Sequence, residues 1–283
     1  MGINRSYKDK KDYPTRQTGN VAKLMGLSDE GVRIYERYGL VYPEKKGDGG
    51  FRAFDIMDIV MLLYARVYRE CGFSLKEVQQ LANDSELKHV ADAYRDSITH
   101  LRRKVEWEQK RLERIEELLT EIETAITTEG QCTLDTMPGL YRVEFFRDHM
   151  LDITLAMGRK AGEWMERYVP FTMLSTRFEK DVLSLPREDI PASSGLGICE
   201  KYAAFLGIQP SREVTYHPPV RAVHTILRAN NQVLNPDMSG CLSFIRTHGL
   251  EIAGDAISFG IVNLHFQTDF DRYFHLWIPV KEP

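Results

Sequence analysis

Gly31–Phe54 reads GVRIYERYGLVYPEKKGDGGFRAF. The stretch sets tyrosines, three arginines and a Lys-Lys pair around a Gly-rich tip, with little apolar material to bury. Arg33 and Arg37 stand four residues apart, so on a helix both cations share one face. Asp48-Gly49-Gly50 is turn chemistry between two short extended runs, which predicts a β wing. Upstream, Thr18 is placed to cap a helix through GNVAKLM, with Val21, Leu24 and Met25 on one side. Gly26-Leu27-Ser28 then turns, and Ser28 is placed to cap DEGVRIYERY. Two short helices joined this way make a helix-turn-helix pattern. Downstream, Asp55 caps an apolar helix ending at Cys71-Gly72, and Ser74 caps SLKEVQQLAN.

The rest of the 283 residues leaves room for two or three domains. No run approaches the ~18 apolar residues of a membrane span, and the charged start MGINRSYKDKKDYPTR has no signal-peptide core. The four cysteines, Cys71, Cys132, Cys199 and Cys241, are widely spaced with no CxxC pair. They read as plain thiols of a cytoplasmic protein rather than a disulfide framework, although Cys71 and Cys132 bracket the central helix. The net charge of -4 hides an asymmetry, because residues 1–54 hold 11 Lys and Arg against 7 Asp and Glu. A locally basic head on an acidic body can still dock on phosphate.

The middle of the chain has heptad periodicity. Ala91, Tyr94, Ile98, Leu101, Val105, Leu112, Ile115, Leu119, Ile122 and Ile126 alternate steps of three and four, broken only at Glu108. Such a helix spans roughly 54 Å at ~1.5 Å per residue. A seam that narrow needs a second helix, and the chain has no other of that length. A homodimer through the same helix of another copy is therefore expected.

From about Cys132 onward the chain reads as an internal duplication. Met137–His149 aligns with Pro218–Asn230, each opening into a strand. A helix-like stretch follows in each half, ITLAMGRKAGEWMERYV and then SGCLSFIRTHG. Strand-like runs come next, TMLSTRFE and GLGICEKYA in the first half, AISFGIVNLHF and YFHLWIPV in the second. That is strand–helix–strand–strand twice, an α+β arrangement. The predicted organisation is a winged helix-turn-helix over residues 14–86, a coiled-coil dimerisation helix over 87–129, and the duplicated module over 133–283.

The exposed face of a second helix in this motif suits the DNA major groove, with the wing on the adjacent backbone. Thr18, Ser28, Arg33, Tyr35, Arg37, Lys45, Lys46, Phe51 and Arg52 are the candidate contacts with double-stranded DNA. Tyr35 and Tyr38 offer hydroxyls and flat rings, and either is also a reasonable core residue. In the last strand, alternation sets Tyr273, His275 and Trp277 on one face, against Phe274, Leu276 and Ile278 on the other. The first set mixes aromatic and polar groups as small-molecule sites do. Tyr141, Glu144, Phe145, Trp164, Phe259 and His265 are further candidates. Each is equally readable as core or surface. His224, His265 and His275 are conceivable metal ligands, but no metal or other cofactor is called for, and no nucleophile–base motif such as GxSxG or HExxH occurs.

NVAKLMGLSDEGVRIYERYGLVYP, then GGFRAFD, then RECGFSLKEVQQL, resembles the DNA-binding region of MerR-type transcription regulators, from about Tyr13 to Asp84. Arg33-Ile34-Tyr35-Glu36 departs from the family's usual Arg-Tyr-Tyr-Asp run, and Phe51 stands where a Tyr is usual. The resemblance implies an antiparallel coiled-coil dimer on a palindromic promoter operator, which distorts the DNA for RNA polymerase when a small effector binds. The tail is similar to a GyrI-like (BmrR-type) effector-binding domain of multidrug-sensing relatives, chiefly through its layout and the ending YFHLWIPVKEP. Relatives often carry Glu where this chain has His275, so the resemblance implies an aromatic or lipophilic effector that need not be cationic. Two rival readings stay open, a GyrI-like small-molecule hydrolase and a ligand-independent architectural DNA binder.

Overall fold

The computed structural model describes residues 14–47, 49–83, 86–147, 150–151, 156–183, 191–230, 236–266 and 269–283. Asp48 of the expected wing turn and Ile153–Leu155 of the expected third-segment helix lie outside the described residues. The chain divides into two compact units, Met1–Trp107 and Glu108–Pro283.

In the first unit the elements run β1 (Arg16–Gln17), α1 (Thr18–Met25), α2 (Asp29–Arg37), β2 (Glu44–Lys46), β3 (Phe51–Phe54), α3 (Ile56–Glu70) and α4 (Leu75–Asn83). The strands form a small sheet in the order β1-β3-β2. Ser28 caps α2 by accepting from the Gly31 N–H at 3.0 Å. Asp55 and Asp58 form a reciprocal capping box at α3, and the buried Asp58 also accepts from the Tyr42 N–H at 2.9 Å. Ser74 and Glu77 cap α4 in the same reciprocal way. Thr18 is not the cap expected of it. It is the first helical residue, and Gln17 precedes it without a side-chain cap bond, because pairing with β3 keeps the chain extended through Gln17. Val21, Val32, Tyr35, Leu40, Phe54, Leu62 and Val78 make the core. Tyr68, Phe73 and Tyr94 meet as an aromatic trio beside it.

The long helix α5 (Leu87–Thr128) has 42 residues. The expected seam is exposed along most of its length, with Ile98, Leu101, Val105, Leu112, Ile115 and Leu119 each about half accessible and Ile126 at 78%. A second face, made of charged residues at helical spacing, is occupied within the second unit: Arg114 and Ala125 are buried there, and Glu117 accepts from the Tyr202 hydroxyl at 2.7 Å. The helix therefore lies on its own chain with its polar side and leaves its apolar side uncovered.

Among the described residues the second unit forms one ten-stranded antiparallel sheet. Its elements are β4 (Thr133–Met137), β5 (Leu140–Arg147), β6 (Met150–Leu151), α6 (Ala156–Arg167), β7 (Met173–Phe178), β8 (Ala192–Cys199), α7 (Glu200–Leu206), β9 (Thr215–His217), β10 (Val220–Asn230), α8 (Ser239–Thr247), β11 (Glu251–Ile252), β12 (Ala256–Phe266) and β13 (Asp269–Lys281). The main order is β4-β10-β13-β12-β7-β8-β5-β6. Two β–α–β–β units are visible in it, β5-α6-β7-β8 and β10-α8-β12-β13, joined where β7 pairs with β12. One difference from the expected strands is that Glu200–Leu206 is helical. The chain leaves β8 at Cys199, the Glu200 N–H donates to Gly139 O at 2.8 Å, and Gly207 closes the turn at φ 68. Cys241 and Ile245 of α8 pack with Leu276, Ile278 and Val223 on one face of the sheet.

Candidate functional site

The head presents its cations in two places. On α2, Arg37 and Arg33 both reach Glu30, at 2.9 and 3.8 Å. On the wing, Arg52 Nε donates to Glu36 Oε2 at 2.6 Å, and Lys46 lies 3.4 Å from Glu44. The exposed pairs of Arg33, Arg37 and Lys46 are worth at most about 1 kcal/mol each, so a phosphate can take over those cations at small cost, while the Arg52–Glu36 pair is part-buried. Lys45 and Phe51 are exposed, and Thr18 is half-buried. The Ser28 hydroxyl is engaged in its cap. Tyr35 is 8% exposed and belongs to the core, while its neighbour Tyr38 faces outward at 39%. The hydrophobic pattern explains this: Tyr35 follows Val32 by three positions on the buried side of α2.

In the second unit, strand register brings Phe259, His275 and Trp277 together. Phe259 pairs across from His275, and His224 from Trp277. The His224 and Trp277 rings stack at 4.0 Å, and His224 Nε2 lies 2.9 Å from His275 Nδ1. Phe259, His275 and Trp277 line a cavity of about 420 Å³ with Glu121, Pro138, Gly139, Cys199, Glu200, Lys201 and Pro219, and His224 packs behind His275 and Trp277. The Trp277 indole Nε1 is buried with no hydrogen-bond partner among the described residues. A buried donor left unpaired costs about 1–3 kcal/mol.

Glu121 brings α5 to this cavity. Its carboxylate lies 3.8 Å from His275 Nε2 and accepts from Arg114 at 2.9 Å. Burial pushes the Glu121 pKa up, but His275 and Arg114 outweigh it and hold the acid below its ordinary value. His224 is pushed down to about 4 by burial and by the neighbouring His275, so it is neutral at pH 7.

Glu144 lies elsewhere on the same sheet. With Arg142, Arg177 and Ser193 it forms an ion cluster: Arg142 Nη1 donates to it at 3.0 Å, Arg177 Nε at 3.1 Å and the Ser193 hydroxyl at 2.9 Å. Burial opposes the charge on Glu144, yet Arg142 and the other donors bring its pKa down to about 2. Burial lowers Arg142 to about 10. Gly195, paired to Glu144, lets the backbones of β8 and β5 run close here, since a Cβ there would sit 1.9 Å from Val143 O.

The remaining candidates are scattered. The Tyr141 ring packs on Tyr216 at 4.7 Å. Phe145 lines a separate cavity of about 320 Å³ with Leu174, Arg272 and Phe274. Trp164 is buried beside Tyr168, His265 is exposed, and Tyr273 is half-buried. Cys71 belongs to the first unit, and Cys132 lies against Cys241 in the second. No group of three or more His, Cys, Asp or Glu arranged for a metal occurs among the described residues, and no described helix is long and apolar enough to cross a membrane. The reading of the sequence missed Glu121, Glu200 and Lys201. Glu121 sat among many charges on α5, and only its spacing of seven from Arg114 and four from Glu117 marked a second contact face.

The first unit is a winged helix-turn-helix domain. Residues 17–85 match the MerR HTH family of regulatory proteins, and the head is a domain of that family. The HTH-type transcriptional regulator CueR of Escherichia coli O6:H1 is 33% identical over 81 residues, 28% of this chain and 60% of its own. The HTH-type regulator YyaN of Bacillus subtilis is 28% identical over 127 residues, 44% of this chain and 91% of its own. The chain thus spans about 60% of the length of CueR. The EcmrR–DNA complex solved by cryo-EM aligns over 95% of this chain and 100% of that one, at 16% identity and a TM-score of 0.37, too slight a likeness to carry an argument.

Proposed function

We propose that this protein is a ligand-responsive, DNA-binding transcription regulator of MerR type that acts as a homodimer. The observation that carries the reading is a MerR-family head whose α2 and wing carry Arg33, Arg37 and Lys45 exposed and Lys46 and Arg52 half-buried beside them. Two copies join through the exposed seam of α5, their helices antiparallel, and place two heads on a palindromic promoter operator. Bending and untwisting that DNA costs on the order of 1–6 kcal/mol or more, offset by backbone contacts, and realigns the promoter for RNA polymerase.

The effector enters the cavity lined by Phe259, His275, Trp277 and Glu121. Its aromatic walls suit a flat, lipophilic molecule, and Trp277 Nε1 suits one with a hydrogen-bond acceptor. Because Glu121 belongs to α5, a ligand touching it acts directly on the dimer helix. It shifts the balance between dimer shapes by its differential affinity for them.

The test begins with purified protein and sheared genomic DNA. Sequencing of retained fragments should reveal one two-fold symmetric motif, and no enrichment would falsify the reading. A panel of aromatic compounds is then screened by thermal shift. Hits should weaken at least tenfold in Trp277→Ala while operator affinity stays unchanged. Equal binding to both proteins would put the effector site elsewhere.

A further inference from the structure

Cys132 and Cys241 are 109 positions apart in sequence and 3.6 Å apart, Sγ to Sγ. Cys132 is partly exposed, in the turn between α5 and β4, while Cys241 is buried in the first turn of α8. The turn is held against β10, with the Gly130 N–H donating to Ile226 O at 2.8 Å. Cys132 packs on the cluster of Val223, Met238, Cys241 and Ile245. Neither thiol lines the effector cavity, and Cys71 belongs to the other compact unit.

We infer that Cys132 and Cys241 are a reversible modification site, oxidised by a hydroperoxide to an intrachain disulfide. The two positions suit different roles. Burial, with Cys132 beside it, pushes the Cys241 thiol well above its ordinary pKa and holds it protonated and shielded. Cys132 is the one that solvent reaches, and the thiolate is the reacting form. The Cys132 thiolate attacks a peroxide oxygen. The O–O bond breaks, the alkoxide leaves and takes a proton as an alcohol (water, for hydrogen peroxide), and Cys132 becomes a sulfenic acid. The Cys241 sulfur then attacks the Cys132 sulfur. The S–S bond forms, the S–O bond breaks, and the hydroxyl departs as water with the Cys241 proton. The two thiols give up two electrons and two protons, and the peroxide accepts both. The sulfurs must close to about 2.05 Å, and Cys132 lies outside helix and strand, where the backbone can supply that movement. Thiol exchange reverses the bond, as for the transient disulfides of reducing compartments. The oxidised form ties the chain leaving α5 to α8, across the edge of the sheet.

The experiment uses the full-length reduced protein, titrated with hydrogen peroxide, blocked with N-ethylmaleimide and digested without reductant. The expected result is a Cys132–Cys241 cross-linked peptide, lighter than its two halves by about 2 Da and lost on adding dithiothreitol. In Cys241→Ser, Cys132 should instead be trapped by dimedone as the sulfenic acid. In Cys132→Ser, Cys241 should stay reduced at the same doses. Complete alkylation of both cysteines in the treated, unfolded wild type would overturn the assignment without recourse to any variant. So would oxidation of Cys241 in Cys132→Ser at the wild-type rate.

Discussion

Arg52 on the wing and Glu36 on α2 meet at 2.6 Å, so one ion pair joins the two elements of the head that carry its cations. On the proposed reading, DNA draws Arg52 away from that carboxylate. Glu36→Gln should therefore raise affinity for duplex DNA at low salt. Arg33→Ala should lower it and flatten the dependence of log affinity on log salt by about one, as for one lost phosphate contact. Fluorescence anisotropy over a salt series reads both, and sedimentation should show the dimer intact. An unchanged slope in Arg33→Ala would remove that residue from the interface.

The seam of α5 makes a sharper prediction. Ile115 is 50% exposed in the single chain and lies on a different face of α5 from Arg114 and Glu121. Burying such a side chain contributes roughly 1.5–3 kcal/mol, and a symmetric dimer contains two. Ile115→Glu should raise the dimer dissociation constant at least ~100-fold, with helicity by circular dichroism retained. Sedimentation equilibrium checks it, and a variant as dimeric as wild type would refute the seam as the interface.

Two half-buried histidines set an acid limit on stability. Burial is the main cause that brings His217 and His224 from 6.5 down to about 4. In each case the unfolded chain takes up its proton first as pH falls. The neutral rings thus stabilise the fold fully above about pH 6.5, and that contribution is lost between there and about pH 4. Tm should be flat from pH 8 to 7 and fall steadily toward pH 5. His224→Gln should show a shallower fall, and an identical profile in that variant would exclude His224 as a source.

Glu144 is the counter-charge for a guanidinium whose side chain is fully buried, that of Arg142. Glu144→Gln keeps the shape and removes the charge. Breaking a buried pair from one side typically costs about 3–5 kcal/mol, and urea denaturation should register a loss of that order. If Glu144→Gln unfolds at the wild-type midpoint, Arg142 is held by Ser175 and the backbone carbonyls of Ser175 and Ser193 alone.

The head was readable from the sequence because its signals are local. Ser28, Asp55 and Ser74 cap helices within three residues of themselves, and the Arg-rich α2 precedes a glycine turn. The doubled β–α–β–β layout was readable from period and order. The cavity was only partly so. Alternation sorted His275 and Trp277 onto one face of β13, but Tyr141, Phe145 and Trp164 went to other places because cross-strand register and the irregularity between Glu144 and Phe146 decide neighbours there. Tyr35 belonged to the core by its distance from Val32, a signal that the run of arginines around it obscured. Glu121 became visible only when β13 was laid beside α5, a contact between segments some 150 residues apart that no local pattern encodes.

The joining of two like units at β7 and β12 has a chemical sequel. Strand pairing sets Arg142 across from Gly197 and Glu144 across from Gly195 in the first unit, and His224 across from Trp277 and Ile226 across from His275 in the second. Where one unit sets bare glycines across from its charged side chains, the other sets a buried indole and imidazole that meet His224. The two like units thus hold different chemistry on one plan, a charged fastener in the first and stacked rings in the second.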